Sequence, residues 1–394
     1  APIADAPDRP TTIKVAGNNT VTLNPASGGT MTGGVEVQSG TLRVAPSAPA
    51  TNPFGNTTIK VLGYETPVVA SPTAATLQLV GTNAITHGGN IQNSGLVQVS
   101  GTVTVQGTIA GPGPGAFVPG LLESLGGTWN SSSPQGTGNF GVKLEPRMGN
   151  MNVVTQDPIT GWGDNHTWTY TGLFYDADGY FSFLENIDDN TYIMIDGVTR
   201  LNESGSEVSS TAMIVGQRDN TISANQNTAG GTLYFGNPDP DGDPTNGPEG
   251  WHTIEIRFNN GGGGAGPWGA VSGMTNNFGF GLNVDGTRAL DGALYTRPID
   301  PGNGTLFRVP IAAKGQIQID AGASLTAGSI TQTALLTLVS GTSSLSVQSA
   351  SDVDQLTAQA GTALLTGPGA LTVNTTLSSG TGSFTKAGAG TLIL

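Results

Sequence analysis

The sequence predicts an all-β protein: right-handed β-solenoid flanks interrupted by an inserted β-sandwich. Three observations carry that expectation. Glycine supplies 61 of 394 residues and charged residues only 11%, a profile short of helix formers. Short alternating runs, among them TTIKV, GVEVQ, LVQVSGTVTVQ, GQIQID and SLSVQ, recur between Gly, Ser, Asn and Pro punctuation, the period-2 signature of strands. Aromatic residues are segregated, with 21 of 24 lying between Phe117 and Phe307. Aromatics fill the wide core of a sandwich, whereas thin solenoid coils stack small and β-branched residues.

Taken in order, residues 1–10 (APIADAPDRP) carry three prolines and read as an extended arm. Residues 11–115 form a first solenoid segment, through TLRVA, TTIKVLG, TLQLVG, LVQVSG and TVTVQG. Residues 116–308 form the sandwich, bounded by the turn-rich GPGPG (111–115) and RPIDPGNG (297–304). Residues 309–394 return to solenoid grammar with QIQID, SLTAG, LLTLVSG, SLSVQS and GTLIL. In a solenoid each strand is followed by a Gly or Asn corner and stacks on the next coil. A pair of antiparallel sandwiches is the competing reading, which alternation by itself does not separate.

The last residues, TGSFTKAGAGTLIL (381–394), resemble the opening of the autotransporter-associated β-strand repeat. The continuation of that unit stands at 18–44, NNTVTLNPASGGTMTGGVEVQSGTLRV. Because a solenoid coil cannot bury its faces without neighbours, a unit divided between the two ends implies head-to-tail stacking, of separate chains or of repeats in a longer one. The expected contact pairs Thr391, Leu392, Ile393 and Leu394 with Ile13, Val15, Val21 and Leu23.

The run WTYTGLFYDADGYFSFLENIDDNTYIMIDGVTRLN (168–202), followed by GWHTIEIRFNN (250–260), resembles the PA14 family, whose motif elements occur here in order. The chain departs from the family after Asn260, where GGGGAGPWGAVSGMTNNFGFGLNVDG (261–286) leaves the closing strand open. The resemblance implies a two-sheet sandwich of a kind used for carbohydrate binding, as inserts in glycosidases, and in adhesins and toxins. It implies calcium at Asp188 and Asp189, with Asn190 beside them at the sugar site. Trp268, in the departing segment, is either a sugar-stacking platform or a plug for the sandwich end. Adjacent carboxylates repel unless compensated, and calcium takes six to eight oxygens; the alternative is an Asp-Asp-Asn turn capping a hairpin. Asp239, Asp241 and Asp243 alternate along a Pro-restrained loop and suit the same hard cation, or a solvated acidic surface.

A formal net charge of −14 argues against nucleic acid and anionic lipid as partners, and no apolar run approaches the length of a membrane span. The absence of cysteine removes disulfides and thiolate sites. The start at Ala1 fits removal of a signal peptide, or an engineered or proteolytic start. His87, His166 and His252 are scattered, and no nucleophile elbow, zinc helix or phosphate loop is present, so the expectation is not an enzyme. The sequence thus leads to a secreted or cell-surface structural protein, a solenoid shaft stacking on itself and displaying a PA14-like module. Its alternative is a calcium-dependent carbohydrate-binding adhesin on a solenoid stalk.

Overall fold

The computed structural model describes residues 9–65, 75–133, 141–143, 165–176, 182–188, 190–204, 210–216, 232–235, 250–260, 266–267, 279–283 and 307–394. It is all-β, and among the described residues there is no helix. Two compact units emerge, one built from Ala1–Glu65, Pro72–Ala116 and Ile311–Leu394, the other on Phe117–Pro310.

The first unit is a parallel β-solenoid in which equivalent residues of successive coils stack in columns. One column runs Ile13, Val35, Ile59, Ile91, Ile109, Ile330. A second runs Val21, Leu42, Leu77, Val97, Ile317, Leu336, Leu356, Leu377. A third runs Ala50, Ile85, Val103, Leu325, Leu345, Leu365. Alternation along each short strand sends one residue inward and the next outward, so each column is a stripe of aliphatic core. Because all these pairings are parallel, the two-sandwich reading is excluded for the described residues of this unit.

The two flanks expected from sequence are a single stack. Strand Leu96–Ala110, which precedes the insertion, pairs in register with Gly315–Ile319 and Ser324–Thr331, which follow it. Asn93 reinforces the join, its Nδ2 donating to the Gln316 carbonyl at 2.8 Å. The parallel ladder therefore continues across the insertion, with one register shift between Ala327 and Ser329.

Corners are tight, and glycine is required where coils touch there. Gly101 sits at φ +77°, and a Cβ on it would stand 2.6 Å from the Gly81 carbonyl carbon. Gly361 (φ +67°) repeats the arrangement against Gly341. These corners let the stacked chains approach more closely than a side chain allows.

The second unit holds an eight-stranded and a five-stranded sheet. In the larger, Gly250–Asn260 lies between His166–Asp176 and Asn190–Ile195, with unbroken antiparallel register to the former. One face of these strands presents Trp168, Tyr170, Ile193, Ile195, Ile254, Ile256 and Phe258, all buried. The smaller sheet gathers Ser182–Asp188, Ser210–Gly216, Thr232–Phe235, Gly266–Pro267 and Gly279–Asn283. The glycine-rich segment that left the closing strand open thus supplies the last two of these. The chain enters and leaves the unit through antiparallel partners, Phe117–Pro119 against Phe307–Pro310.

Candidate functional site

Two places answer to the residues singled out by sequence: the end coils of the solenoid and the acidic turns of the central unit.

At the end coils the aliphatic columns run out. In the second column the six interior members are essentially inaccessible, from Leu42 to Leu356, whereas Val21 is 41% exposed and Leu377 38%. Ile393 (46%) and Leu394 (75%) are bare as well, and the one remaining large exposed apolar side chain among the described residues, Leu364, faces outward one coil in. Ile13, Leu23 and Leu392 are partly covered against the core, Val15 is buried and Thr391 is exposed. Burying a Leu or Val side chain is worth about 1.5–3 kcal/mol, so open column ends represent unused burial.

The structure also redraws the divided repeat. Leu392–Ile393 pairs with Leu371 and Thr372, and Ile13–Val15 pairs with Val35–Val37. Both strands precede a second-column position in their coils. Ile13–Val15 and Leu392–Ile393 thus each open a coil of the stack. A coil laid on Leu377 by another copy brings its own Ile13–Val15 to the place that Leu392–Ile393 fills. Only one of the two strands fits.

Elsewhere on the solenoid, polar side chains bond from coil to coil. Gln78 donates to Gln98 at 3.2 Å, and Gln98 donates to both Asp320 oxygens at 3.1 and 3.0 Å. Gln318 and Ser100 also donate to Asp320. Burial alone would raise the Asp320 carboxyl, but these donors hold it below the ordinary carboxylate range. Asp354 is held low first by a hydrogen bond from Lys314 at 2.8 Å. Tyr64, whose hydroxyl donates to the Gln38 carbonyl at 2.7 Å, is pushed upward by burial and by the Glu36 charge.

In the central unit, Asp188 ends one strand and Asn190 begins the next, but these strands belong to different sheets. The Asp-Asp-Asn turn consequently does not cap a hairpin; it carries the chain from sheet to sheet. Asp188 pairs through its backbone with Gly266. Asn190 Nδ2 donates to Asn259 Oδ1 at 2.8 Å, and Asn259 Nδ2 donates to the His166 carbonyl and Thr167 Oγ1. Asp189, Asp239, Asp241, Asp243 and Trp268 lie outside the described residues, and so does the side chain of Asp188. Among the described residues no group of three or more His, Cys, Asp or Glu converges.

Two features that sequence reasoning missed organise this unit. Arg257, wholly buried, donates to Glu255 at 2.5 Å and to the carbonyls of Thr128, Trp129, Ser131 and Ser133 at 2.6–3.0 Å, while lying 4.4 Å from the Tyr192 ring centre. It fastens residues 128–133 to the sheet. The signal was the alternation of Glu255 and Arg257 with Ile254, Ile256 and Phe258, which reads as a solvent face but is a covered one. The second feature is a lock on the Asp196–Gly197 turn, whose positive φ values suit a two-residue hairpin. His252 Nδ1 bonds Asp196 Oδ2 at 2.7 Å, and the Thr253 amide donates to Asp196 Oδ1 at 2.9 Å. The His252 ring stacks on Phe174 at 5.1 Å. Burial acts to raise Asp196, yet the bonds from His252 and Thr253 bring it below the ordinary range. His252 thus serves to hold the turn.

No helix among the described residues is long and apolar enough to cross a membrane. No family model matches the chain. Parts of it are similar to two curated proteins. An alpha-agarase of Thalassotalea agarivorans is 35% identical over 134 residues, 34% of this chain and 6% of that protein. An alpha-agarase of Alteromonas agarilytica is 31% identical over 168 residues, 43% of this chain and 8% of that protein. The chain therefore spans less than a tenth of the length of these relatives. Among solved structures, the PA14 domain of the antifreeze protein MpAFP aligns with 46% of this chain and 92% of its own length, at 16% identity and a TM-score of 0.25.

Proposed function

We propose that the chain is an extracellular structural protein whose solenoid coils stack end to end into a shaft that displays the central PA14-like unit. The observation that carries this reading is the placement of exposed aliphatic residues, with Val21 at one end coil and Leu377, Ile393 and Leu394 at the other. The coil that covers them comes from a second copy or from a further repeat of a longer chain. The contact sets Thr20–Leu23 of one copy against 376–379 of the next, with Ile13–Val15 displacing Leu392–Ile393. Such a contact is heterologous and propagates unless its rotation closes a ring.

Sedimentation of the full chain over a range of concentrations tests the proposal. Mass should rise with concentration, and Val21→Asp or Leu377→Asp should hold the chain as a monomer. Removing residues 391–394 vacates the contested place and should strengthen association. A wild-type chain that stays monomeric throughout, or one whose association ignores both aspartates, contradicts the proposal.

A second reading, calcium-dependent carbohydrate binding by the central unit, draws support from the carbohydrate-active names of the two partial relatives. Its test is saccharide binding that chelator abolishes and that Asp188→Asn with Asp189→Asn removes.

A further inference from the structure

In the central unit a buried cation holds an exposed turn. The Ser131 amide donates to the Thr128 carbonyl and closes a four-residue turn with Trp129 and Asn130 at its apex. Arg257 donates to the carbonyls of Thr128, Trp129, Ser131 and Ser133 at 2.9, 3.0, 2.7 and 2.6 Å. The Ser133 amide donates in turn to Ser131 Oγ at 3.2 Å. Carbonyls of a surface loop are ordinarily left to water. Here one guanidinium fixes four of them, so the turn is held through its backbone.

The apex residue is not one that a chain reversal requires. Turn positions favour Gly, Pro, Asn, Asp and Ser, and a large ring left partly in water forgoes burial that the core would supply. Trp129 is partly exposed, whereas Trp168 in the adjoining sheet is buried. Among the described residues neither the Trp129 indole nor the Asn130 carboxamide makes a hydrogen bond or ring contact. Asn130 and Ser132 are exposed beside it.

The surroundings narrow the ligand. Residues 126–133 (GGTWNSSS) carry no carboxylate for a metal and no second apolar side chain for a lipid. Arg257 is buried and paired with Glu255, so an anion finds no open charge. A neutral molecule with one apolar face for the indole and hydroxyls for Asn130 and Ser132 fits, and that is the chemistry of a pyranose ring.

We infer that the Trp129–Asn130 turn is a saccharide platform, on which a sugar ring lies against the indole while its hydroxyls bond the Asn130 carboxamide and the Ser132 hydroxyl. The site depends on neither stacking nor calcium, and the acidic turns take no part in it.

Titration calorimetry on the full chain in EDTA tests this, with linear neutral tetrasaccharides of glucose and of galactose as probes. Trp129→Ala removes the platform and leaves the carbonyls that Arg257 holds, Trp129→Tyr keeps a ring, and Asn130→Ala removes the carboxamide. The expected result is binding in EDTA that Trp129→Ala weakens at least about tenfold, Asn130→Ala weakens about threefold and Trp129→Tyr largely retains. Asp188→Asn with Asp189→Asn should leave it unchanged, and the thermal transition of the central unit should hold in every platform variant. Four results overturn the inference: no binding of either probe, binding that EDTA removes, binding that Trp129→Ala leaves intact, or a central transition that falls steeply in Trp129→Ala, which would make the indole a packing residue. Stacking is read separately by sedimentation and calcium-dependent binding by the aspartate pair, so failure here leaves both readings standing.

Discussion

The solenoid and the central unit solve the same problem of burying β-strands by opposite means. In the solenoid, each inward residue is covered by its counterpart one coil away, as Leu336 lies between Ile317 and Leu356, and the core contains little but aliphatics. Support is local and repeated, so any coil has the same need at each end. In the central unit, cohesion is concentrated in a few large groups: Trp168, Tyr170, Tyr192, Phe258 and the buried pair of Glu255 with Arg257. A sandwich closes on itself, whereas each coil of a ladder needs a neighbour on both sides, and, Leu364 apart, the exposed large aliphatics among the described residues lie in the first and last coils.

The largest effect should come from breaking the concentrated design. Arg257→Ala would leave Glu255 buried without its cation and four carbonyls without a donor, at a cost of about 3–5 kcal/mol. Calorimetry should show the central unit's transition falling steeply while the solenoid's holds. Equal loss in both transitions would mean that the units do not differ in this way.

Next in size is an interior position of the ladder. Leu336→Ala opens a cavity in a column whose members are inaccessible and should cost about 2–5 kcal/mol, whereas Leu377→Ala at the open coil should stay within about 0.5 kcal/mol in the monomer. Chemical denaturation at low concentration distinguishes them. Raising the concentration should increase the cost of Leu377→Ala, because stacking buries that side chain.

Much of this contrast was legible in the sequence. The segregation of aromatics separated the two regions, and alternation with glycine corners announced the coils, because both follow from side-chain size and the two-residue period of strands. The continuity of the stack across the insertion was not legible, since no local signal pairs Val97 with Ile317. The role of Arg257 was hidden for a related reason: an alternating charged face is read as solvated until the segment covering it is known. The Asp188–Asn190 turn was read as a possible hairpin cap because sequence does not say which sheet receives the next strand.

Smaller effects should separate the regions by pH. His87 is held below its ordinary pKa by burial, so the unfolded chain binds a proton that the folded solenoid refuses. Solenoid stability should therefore be full above about pH 6.5 and decline as the pH falls below it, and His87→Leu should remove that slope. Asp196 is depressed instead, so its contribution to the central unit should persist down to about pH 4 and be lost as the pH falls through its folded value. Asp196→Asn should flatten that second decline. Thermal scans between pH 7 and pH 2 check both, and a central unit that responds to His87→Leu would undo the assignment.

The central claim, that the open columns are covered by the coils of another copy, is tested most directly by electron microscopy of the concentrated full chain. Eight second-column strands from Val21 to Leu377, at roughly 4.8 Å per coil, predict unbranched filaments with an axial repeat of about 38 Å. Discrete particles at every concentration, or filaments whose repeat bears no relation to the coil rise and which survive Val21→Asp, would contradict it.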